Sequence, residues 1–331
     1  MSATLERPGR PEQPGALVSA GIVGLGGALP ERVVPNAEIT AAIGVDEDWI
    51  VRRTGIRERR YAEAGASVVD LAVAAGRAAL ADAALEAAEM DLVLVATCSP
   101  DSLMPNAAPQ VAHKLGAVRA GAFDVGSACT GFIAALAAAR GMLMSGAARH
   151  ALVIGAEIMS RNVDPNDRNT AAIFGDGAGA VVVSARGAGE LGPIVLGSDG
   201  AHAQLIVSDP RTQILSMDGH ETFKQAVRRM SEVSLAACEA AGVALSELDL
   251  YVYHQANTRI LASLAERLAL DPAKVVDCIA TIGNTSGASV PLALEQARRD
   301  GRLRPGTRVL LAAAGSGFTW GGGVITWGLA A

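Results

Sequence analysis

Two kinds of apolar pattern alternate along the chain. Leu92 to Val95 and Val309 to Ala313 are short, nearly unbroken apolar runs, the pattern of strands covered by helices on both faces. Residues 17–29 read as a strand running into a Gly-rich turn, and Asn36 to Ile43 as a short helix. Asp46 to Arg57 opens on acidic cap residues and ends in a basic turn. Ser67 to Ala84 is an Ala-rich helix, with Ser67 placed to accept a first-turn backbone N–H.

From Met90 onward one order of elements occurs twice. The first copy has a strand at Met90–Thr97, a helix around Pro109 to Leu115 and a strand at Phe123–Val125. A tight turn and helix follow at Cys129, then a strand at Arg149–Gly155 and a Gly-rich hairpin at Phe174–Val183. The second has a strand at Leu248–His254, a helix through Arg259 to Leu268 and a strand at Lys274–Asp277. It continues with a turn at Ile282–Ser289, a helix from about Pro291 to Arg299, a strand from Thr307 and a hairpin at Gly315–Trp327. Repetition of this kind marks a duplicated α/β unit. Two sheets sharing one buried helical layer is the economical packing. The helices after Cys129 and after Asn284 are its central members, and their Ala, Gly and Ser content suits close approach.

Composition narrows the function classes. A chain of 331 residues can bury a large core, and a net charge of −6 argues against a nucleic-acid footprint. No uninterrupted apolar run reaches membrane-spanning length. Residues 1–15, rich in Pro, Gly and charge, read as a disordered lead without an apolar signal core. Residues 16–186 and 187–331 are then the two halves. Cys98, Cys129, Cys238 and Cys278 lack C-x-x-C spacing, which points away from a disulfide framework or zinc site and toward the reducing cytosol. Gly24 and Gly26 hint at a dinucleotide fingerprint, but Leu29 breaks it and the dehydrogenase reading fails.

Cys129 lies where a strand gives way to a helix. A free thiol is only about 3% ionised at neutral pH. Helix N-terminal amides favour its anion by about 0.3–1 kcal/mol, up to about 2 when partly buried, enough to bring titration close to neutral at about 1.4 kcal/mol per pKa unit. The bland alternative, a small buried hydrophobe, stays open on this stretch alone. His254, Asn284 and the backbone of Gly315–Phe318 also stand at the carboxyl ends of apolar strands, where ligands of α/β sheets sit. If the halves face each other, a thiol, an imidazole and a carboxamide converge, a set suited to thioester chemistry.

Here the chain resembles the β-ketoacyl-acyl carrier protein synthase III family, condensing enzymes of the thiolase superfamily. The resemblance runs from Leu17 to the C-terminus. It is carried by Asp48 to Arg57, Asp124 to Gly131, Asp164 to Arg168, Gly175 to Gly179, His254 to Asn257, Gly283 to Ser286 and Gly317 to Gly321. It implies an α/β fold of five αβαβα layers from two duplicated halves, in a homodimer. It also implies that Cys129 is the acylated nucleophile, with the Cys129 and Ser316 amides as oxyanion hole, and that His254 and Asn284 hold the malonyl thioester during decarboxylation.

The same resemblance places Trp49 and Arg168 on either side of the CoA adenine, with Arg53, Thr54 and Phe174 nearby. Lys224, Arg259 and Arg267 fall on a patch for the acidic acyl carrier protein, although Glu266 interrupts it. Ala314 replaces a bulky aromatic, Met104 stands where a partner protomer closes the acyl pocket, and His220 replaces an Asn at the entrance. These departures are expected to suit primers other than acetyl. Acyl-CoA and malonyl-loaded carrier protein are the expected partners, with no metal or organic cofactor. Acyl transfer without condensation is the nearest alternative. A catalytically silent subunit is disfavoured by the presence of Cys129.

Overall fold

The computed structural model describes residues 19–185 and 187–329; the proposed lead at residues 1–15 lies outside them. The first half contains β1 (Ala20–Ala28), β2 (Val33–Pro35), α1 (Ala37–Ile43), α2 (Glu47–Thr54), β3 (Glu58–Arg60) and α3 (Val68–Asp82). It continues with β4 (Leu92–Ala96), α4 (Ala107–Leu115), β5 (Gly121–Val125), α5 (Gly131–Met144), β6 (His150–Ile158) and β7 (Asp176–Ala185). The second contains β8 (Glu190–Ser198), β9 (Ile206–Ser208), β10 (Leu215–Met217), α6 (Gly219–Ala241) and β11 (Leu250–Tyr253). Then come α7 (Thr258–Arg267), α8 (Ile279–Ile282), α9 (Ser289–Arg299), β12 (Arg308–Gly315) and β13 (Thr319–Thr326).

The main sheets have orders β1-β7-β6-β4-β5 and β8-β13-β12-β11. In each, the strands at one edge pair in parallel, β5-β4-β6 in the first and β11-β12 in the second, and the pairings toward the other edge are antiparallel. This is the duplication read from the sequence. The expected strand at Lys274–Asp277 shrinks to one bridge, Val275 to Tyr251. Gln255 replaces the missing ladder: its amide donates to Val276 O at 3.1 Å and accepts the Cys278 N–H at 2.9 Å. The expected hairpin at Phe174–Val183 is instead one long strand, β7, between β1 and β6.

Helices α3 and α4 cover the outer face of the first sheet, while α6 and α7 cover that of the second. Between the sheets lie α5 and α9, each packed on strands of both, giving five layers. The central core runs through Phe132, Leu136 and Leu143 of α5 and Val290 and Leu294 of α9 to strands of both sheets. Such a middle layer needs apolar character all round, and α5 supplies it with Ala and Leu.

The sequence reading passed over α6, the longest helix among the described residues. Its signals were present. Asp218 caps it by accepting the His220 and Glu221 N–H groups, and Ala226, Met230, Val233 and Ala237 recur at three- and four-residue intervals on its buried face. No described helix is long and apolar enough to cross a membrane.

Candidate active site

A cavity of about 550 Å³ borders both halves, and its lining brings Cys129, His254 and Asn284 together. Strand β5 delivers the first of them. Asp124 accepts the Ala107 and Ala108 N–H groups at 2.9 and 2.7 Å, tying the strand to the start of α4. Ala128 then adopts φ +44°, a left-handed conformation worth about 1–3 kcal/mol of strain. Cys129 follows within a 3-10 turn, Ala128–Thr130, that precedes α5. Gly315 passes so close that a Cβ there would lie 2.9 Å from the Cys129 nitrogen.

The expectation of a thiol titrating near neutral is corrected here. Burial pushes the Cys129 thiol from 9.0 up to about 11, against a smaller opposing effect from the Ser286 hydroxyl. A helix-terminal contribution of about 0.3–1 kcal/mol is under one pKa unit. Loss of water outweighs it.

His254 follows β11 and its N–H donates to Ala312 O at 2.8 Å. Its Nδ1 lies 2.5 Å from Ser289 Oγ, and that oxygen also accepts the Gln255 N–H at 3.4 Å. The arrangement that satisfies every donor sends the Ser289 hydroxyl proton to Nδ1. The ring proton then sits on Nε2, the remaining nitrogen, available to the cavity. Burial also lowers the imidazole pKa to about 4, so the ring is neutral at pH 7.

Asn284 follows Gly283, whose φ of +66° a side chain would strain. The Ser286 N–H donates to Asn284 Oδ1 at 2.8 Å, which leaves the amide NH₂ as the free end. Its backbone bridges to Phe174: the Asn284 N–H donates to Ile173 O and its carbonyl accepts the Gly175 N–H. The site therefore offers two side-chain N–H donors to one cavity beside a thiol. Ser316 borders the same space, its hydroxyl tied to Ile206 O at 2.7 Å.

Trp49, Arg53, Thr54, Arg168, Phe174 and Ala314 also line the cavity. Arg53 lies over the Trp49 ring, 4.9 Å from its centroid. The Thr54 hydroxyl is committed locally, donating to Ile50 O at 2.7 Å and accepting the Ile56 N–H. The mixed stretch from Gly197 to Gly219 contributes the β9–β10 ribbon, with Ile206, Ser208, Leu215 and Met217 on the wall. His220 is there too.

Three residues expected at a partner protomer's pocket or on the carrier patch lie outside this lining. Met104 is 86% exposed and absent from the cavity lining. Lys224 lies outside it and pairs with Glu221 at 3.2 Å, while Arg267 is exposed at the end of α7. Of the expected docking cations, Arg259 borders the cavity, its guanidinium 5.6 Å from the Phe223 ring centroid.

The sequence reading missed Ser286, Ser289 and Glu157, and assigned Cys98 to the core or near-surface. Cys98 is exposed, but to the cavity. Glu157 is fully buried within β6. A lone carboxylate in an apolar strand was its available signal, since a buried charge needs partners.

Comparison with known proteins identifies one family over most of the chain. A family model described as 3-oxoacyl-[acyl-carrier-protein (ACP)] synthase III matches residues 123–215, and the model of that enzyme's C-terminal part matches 238–327. β-Ketoacyl-[acyl-carrier-protein] synthase III of Bordetella petrii is 47% identical over 322 residues, covering 92% of this chain and 97% of the relative. A Streptomyces coelicolor relative of the same name is 44% identical, covering 95% of each. Among solved structures, the Pseudomonas aeruginosa 3-oxoacyl-(acyl carrier protein) synthase III superposes with a TM-score of 0.91 at 42% identity, covering 95% of this chain and 99% of the other. The priming β-ketosynthase of the R1128 polyketide pathway gives 0.91 at 36%, covering 96% and 100%.

Proposed function

The chain belongs to the 3-oxoacyl-[acyl-carrier-protein] synthase III family of condensing enzymes, and from that premise we propose the roles of its residues. Cys129 attacks the thioester carbonyl of an acyl-CoA primer, and the C–S bond to CoA breaks as the acyl-Cys129 thioester forms. The Cys129 and Ser316 amides receive the tetrahedral oxyanion. Malonyl-acyl carrier protein then replaces CoA. Its thioester oxygen accepts hydrogen bonds from His254 Nε2–H and the Asn284 amide as CO₂ leaves. The resulting enolate carbon attacks the acyl-Cys129 carbonyl, the C–S bond to Cys129 breaks, and the 3-oxoacyl-carrier product leaves as the thiol regains a proton. Each such donor supplies about 2.7–4 kcal/mol. Two fixed donors serve where a metal ion otherwise would, so the sequence of steps calls for no cofactor.

The carrying observation is the pair of neutral N–H donors, His254 Nε2 and Asn284 Nδ2, each oriented by a serine on its other end. Transfer to a hydroxyl or amine without condensation gives Asn284 nothing to do. Trp49, Arg53, Arg168 and Phe174 are assigned to CoA, and Arg259, with Lys224 and Arg267 farther out, to the acidic carrier.

A homodimer fits one edge of the first sheet. Among the described residues strand β5 is paired on one side alone; Phe123 on it and Val118 just before it are exposed, as are Leu103 and Met104 in the loop before α4. An apolar open edge is a template for a second strand. Met104 then reaches a partner's acyl pocket rather than its own, and with Ala314 it suits primers larger than acetyl. Free cysteines at all four positions fit a cytosolic setting.

The test is intact mass after incubation with a series of acyl-CoAs, then malonyl-carrier. The expected result is an acyl adduct on Cys129 that discharges as a 3-oxoacyl product with CO₂ release. An adduct that never condenses overturns the proposal.

A further inference from the structure

The acylation step proposed above leaves one proton unassigned. Cys129 loses its thiol proton as sulfur attacks, yet the imidazole nitrogen with a lone pair, Nδ1 of His254, is occupied by Ser289. Among the described residues the Cys129 thiol donates to one side chain, Ser286 Oγ, at 3.5 Å. That hydroxyl lies 3.3 Å from Cys98 Sγ. The Cys98 thiol in turn donates to Glu157 Oε1 at 3.3 Å. Four groups from four segments form one continuous row, from the turn before α5 to a carboxylate inside β6.

We propose that Ser286, Cys98 and Glu157 form a proton relay that accepts the Cys129 proton during acylation. Cys129 S–H passes its proton to Ser286 Oγ, Ser286 passes its own to Cys98 Sγ, and Cys98 passes its own to Glu157 Oε1. The Cys129 electron pair forms the new C–S bond, and the pair of the breaking bond leaves on CoA sulfur. The proton then returns along the row and ends on that sulfur, so no charge accumulates. The relay rests on the acyl-Cys129 reading.

The surroundings hold this row in place. Ser286 adopts φ +46°, a conformation costing about 1–3 kcal/mol that persists where neighbours over-determine it. Its N–H is fixed on Asn284. Glu157 accepts from Ser99 Oγ at 2.5 Å, from the Cys98 and Ser99 N–H groups at 3.1 Å, and from the Gly287 N–H at 3.2 Å. The carboxylate thereby pins both the Cys98 loop and the Ser286 turn. Burial raises its pKa, which makes it a better acceptor for a thiol proton. Cys98 and Glu157 are the titratable groups that interact electrostatically with Cys129, and the neutral His254 borders the same cavity.

The test compares Cys98→Ala, which cuts the row, with Cys98→Ser, which restores an O–H link. Single-turnover acylation of Cys129 by acyl-CoA at pH 7 is expected to slow about 100-fold in Cys98→Ala, the lower end of general acid–base effects. Cys98→Ser is expected to recover most of the rate. The Cys98→Ala deficit should narrow as pH rises and the thiol ionises unaided, and malonyl decarboxylation by the acylated variants should match the parent. Wild-type acylation rates in Cys98→Ala, or equal impairment in both variants, overturn the relay. Alkylation of Cys129 by iodoacetamide, read by peptide mass, requires no acyl donor. It should rank the variants in the same order, so failure of the relay and failure of the acyl-CoA reading are distinguishable.

Discussion

His254 Nδ1 and Ser289 Oγ stand 2.5 Å apart, and the hydrogen bond fixes which imidazole nitrogen carries the proton. The two residues come from opposite ends of the second half's chemistry: His254 just beyond β11, Ser289 at the first position of the central helix α9. A serine at a helix start commonly serves its own backbone. This one instead accepts from Gln255 N–H and donates to the imidazole.

Ser289→Ala removes the donor to Nδ1 and frees the ring to exchange tautomers. Malonyl decarboxylation by the acylated enzyme is expected to fall about tenfold or more, the cost of a weakened oxyanion donor, while the rate of Cys129 acylation stays within about twofold. Nitrogen-15 NMR of labelled histidine checks the cause: the His254 signals should show one Nε2–H tautomer in the parent and a mixture in the variant. One tautomer in both would remove Ser289 from the argument.

The depressed His254 pKa sets a pH signature. The imidazole falls from 6.5 to about 4 through burial, so between those values the unfolded chain binds the proton that the folded chain refuses. Stability therefore rises with pH across this window. At about 1.4 kcal/mol per unit, roughly 3 kcal/mol is present above pH 6.5 and is lost as pH falls toward 4. His254→Gln should flatten that part of the stability curve in denaturant titrations. The decarboxylation rate of the parent is expected to be level from about pH 6 to 8, with no limb near 6.5. A limb there would show an imidazole titrating as if in water.

Splitting the reaction separates the roles of two of the converging side chains, Asn284 and Cys129. Asn284→Ala is expected to lower malonyl decarboxylation about 10²–10³-fold with acyl-Cys129 still accumulating to full occupancy by mass. Cys129→Ala should show the reverse, with no adduct but measurable ¹⁴CO₂ release from labelled malonyl-carrier. Loss of both half-reactions in a folded Asn284→Ala protein would show that the carboxamide holds the whole site rather than one oxyanion.

Much of this was legible in the chain because it rests on local signals. Unbroken runs such as Leu92 to Ala96 require cover on both faces, and every residue of that strand is buried. The repeat pointed to two like halves, and once those halves face each other Cys129, His254 and Asn284 converge on one cavity. The pKa of Cys129 was not legible. It depends on how completely distant segments, Gly315 and Ser286 among them, exclude water from the sulfur, and the pattern near residue 129 carries no record of that. Glu157 and Cys98 were missed for a related reason: their partners are about 59 residues apart in sequence, and no periodicity links them. The Lys274–Asp277 strand was overread, because a Gln side chain can satisfy backbone groups as a neighbouring strand does.

Close packing of two backbones gives the last prediction. Gly155 lies in β6 against the turn that carries Ser286, and a Cβ placed on it would come within 2.3 Å of Gly287 O and 3.1 Å of Ala288 Cα. Neither contact is with a flexible side chain, so the turn has to move. Gly155→Ala is therefore expected to cost about 1–3 kcal/mol of stability and to impair decarboxylation, because the Ser286 N–H that orients Asn284 belongs to that turn. Gly141→Ala is the control. Its Cβ would meet nothing within 4 Å, and in the last turn of α5 the change should stabilise by up to about 0.5–1 kcal/mol. Thermal unfolding and steady-state condensation rates measured on both variants decide the matter: if Gly155→Ala matched Gly141→Ala in both, the turn would not be braced against β6, and the geometry given for Asn284 would lose its support.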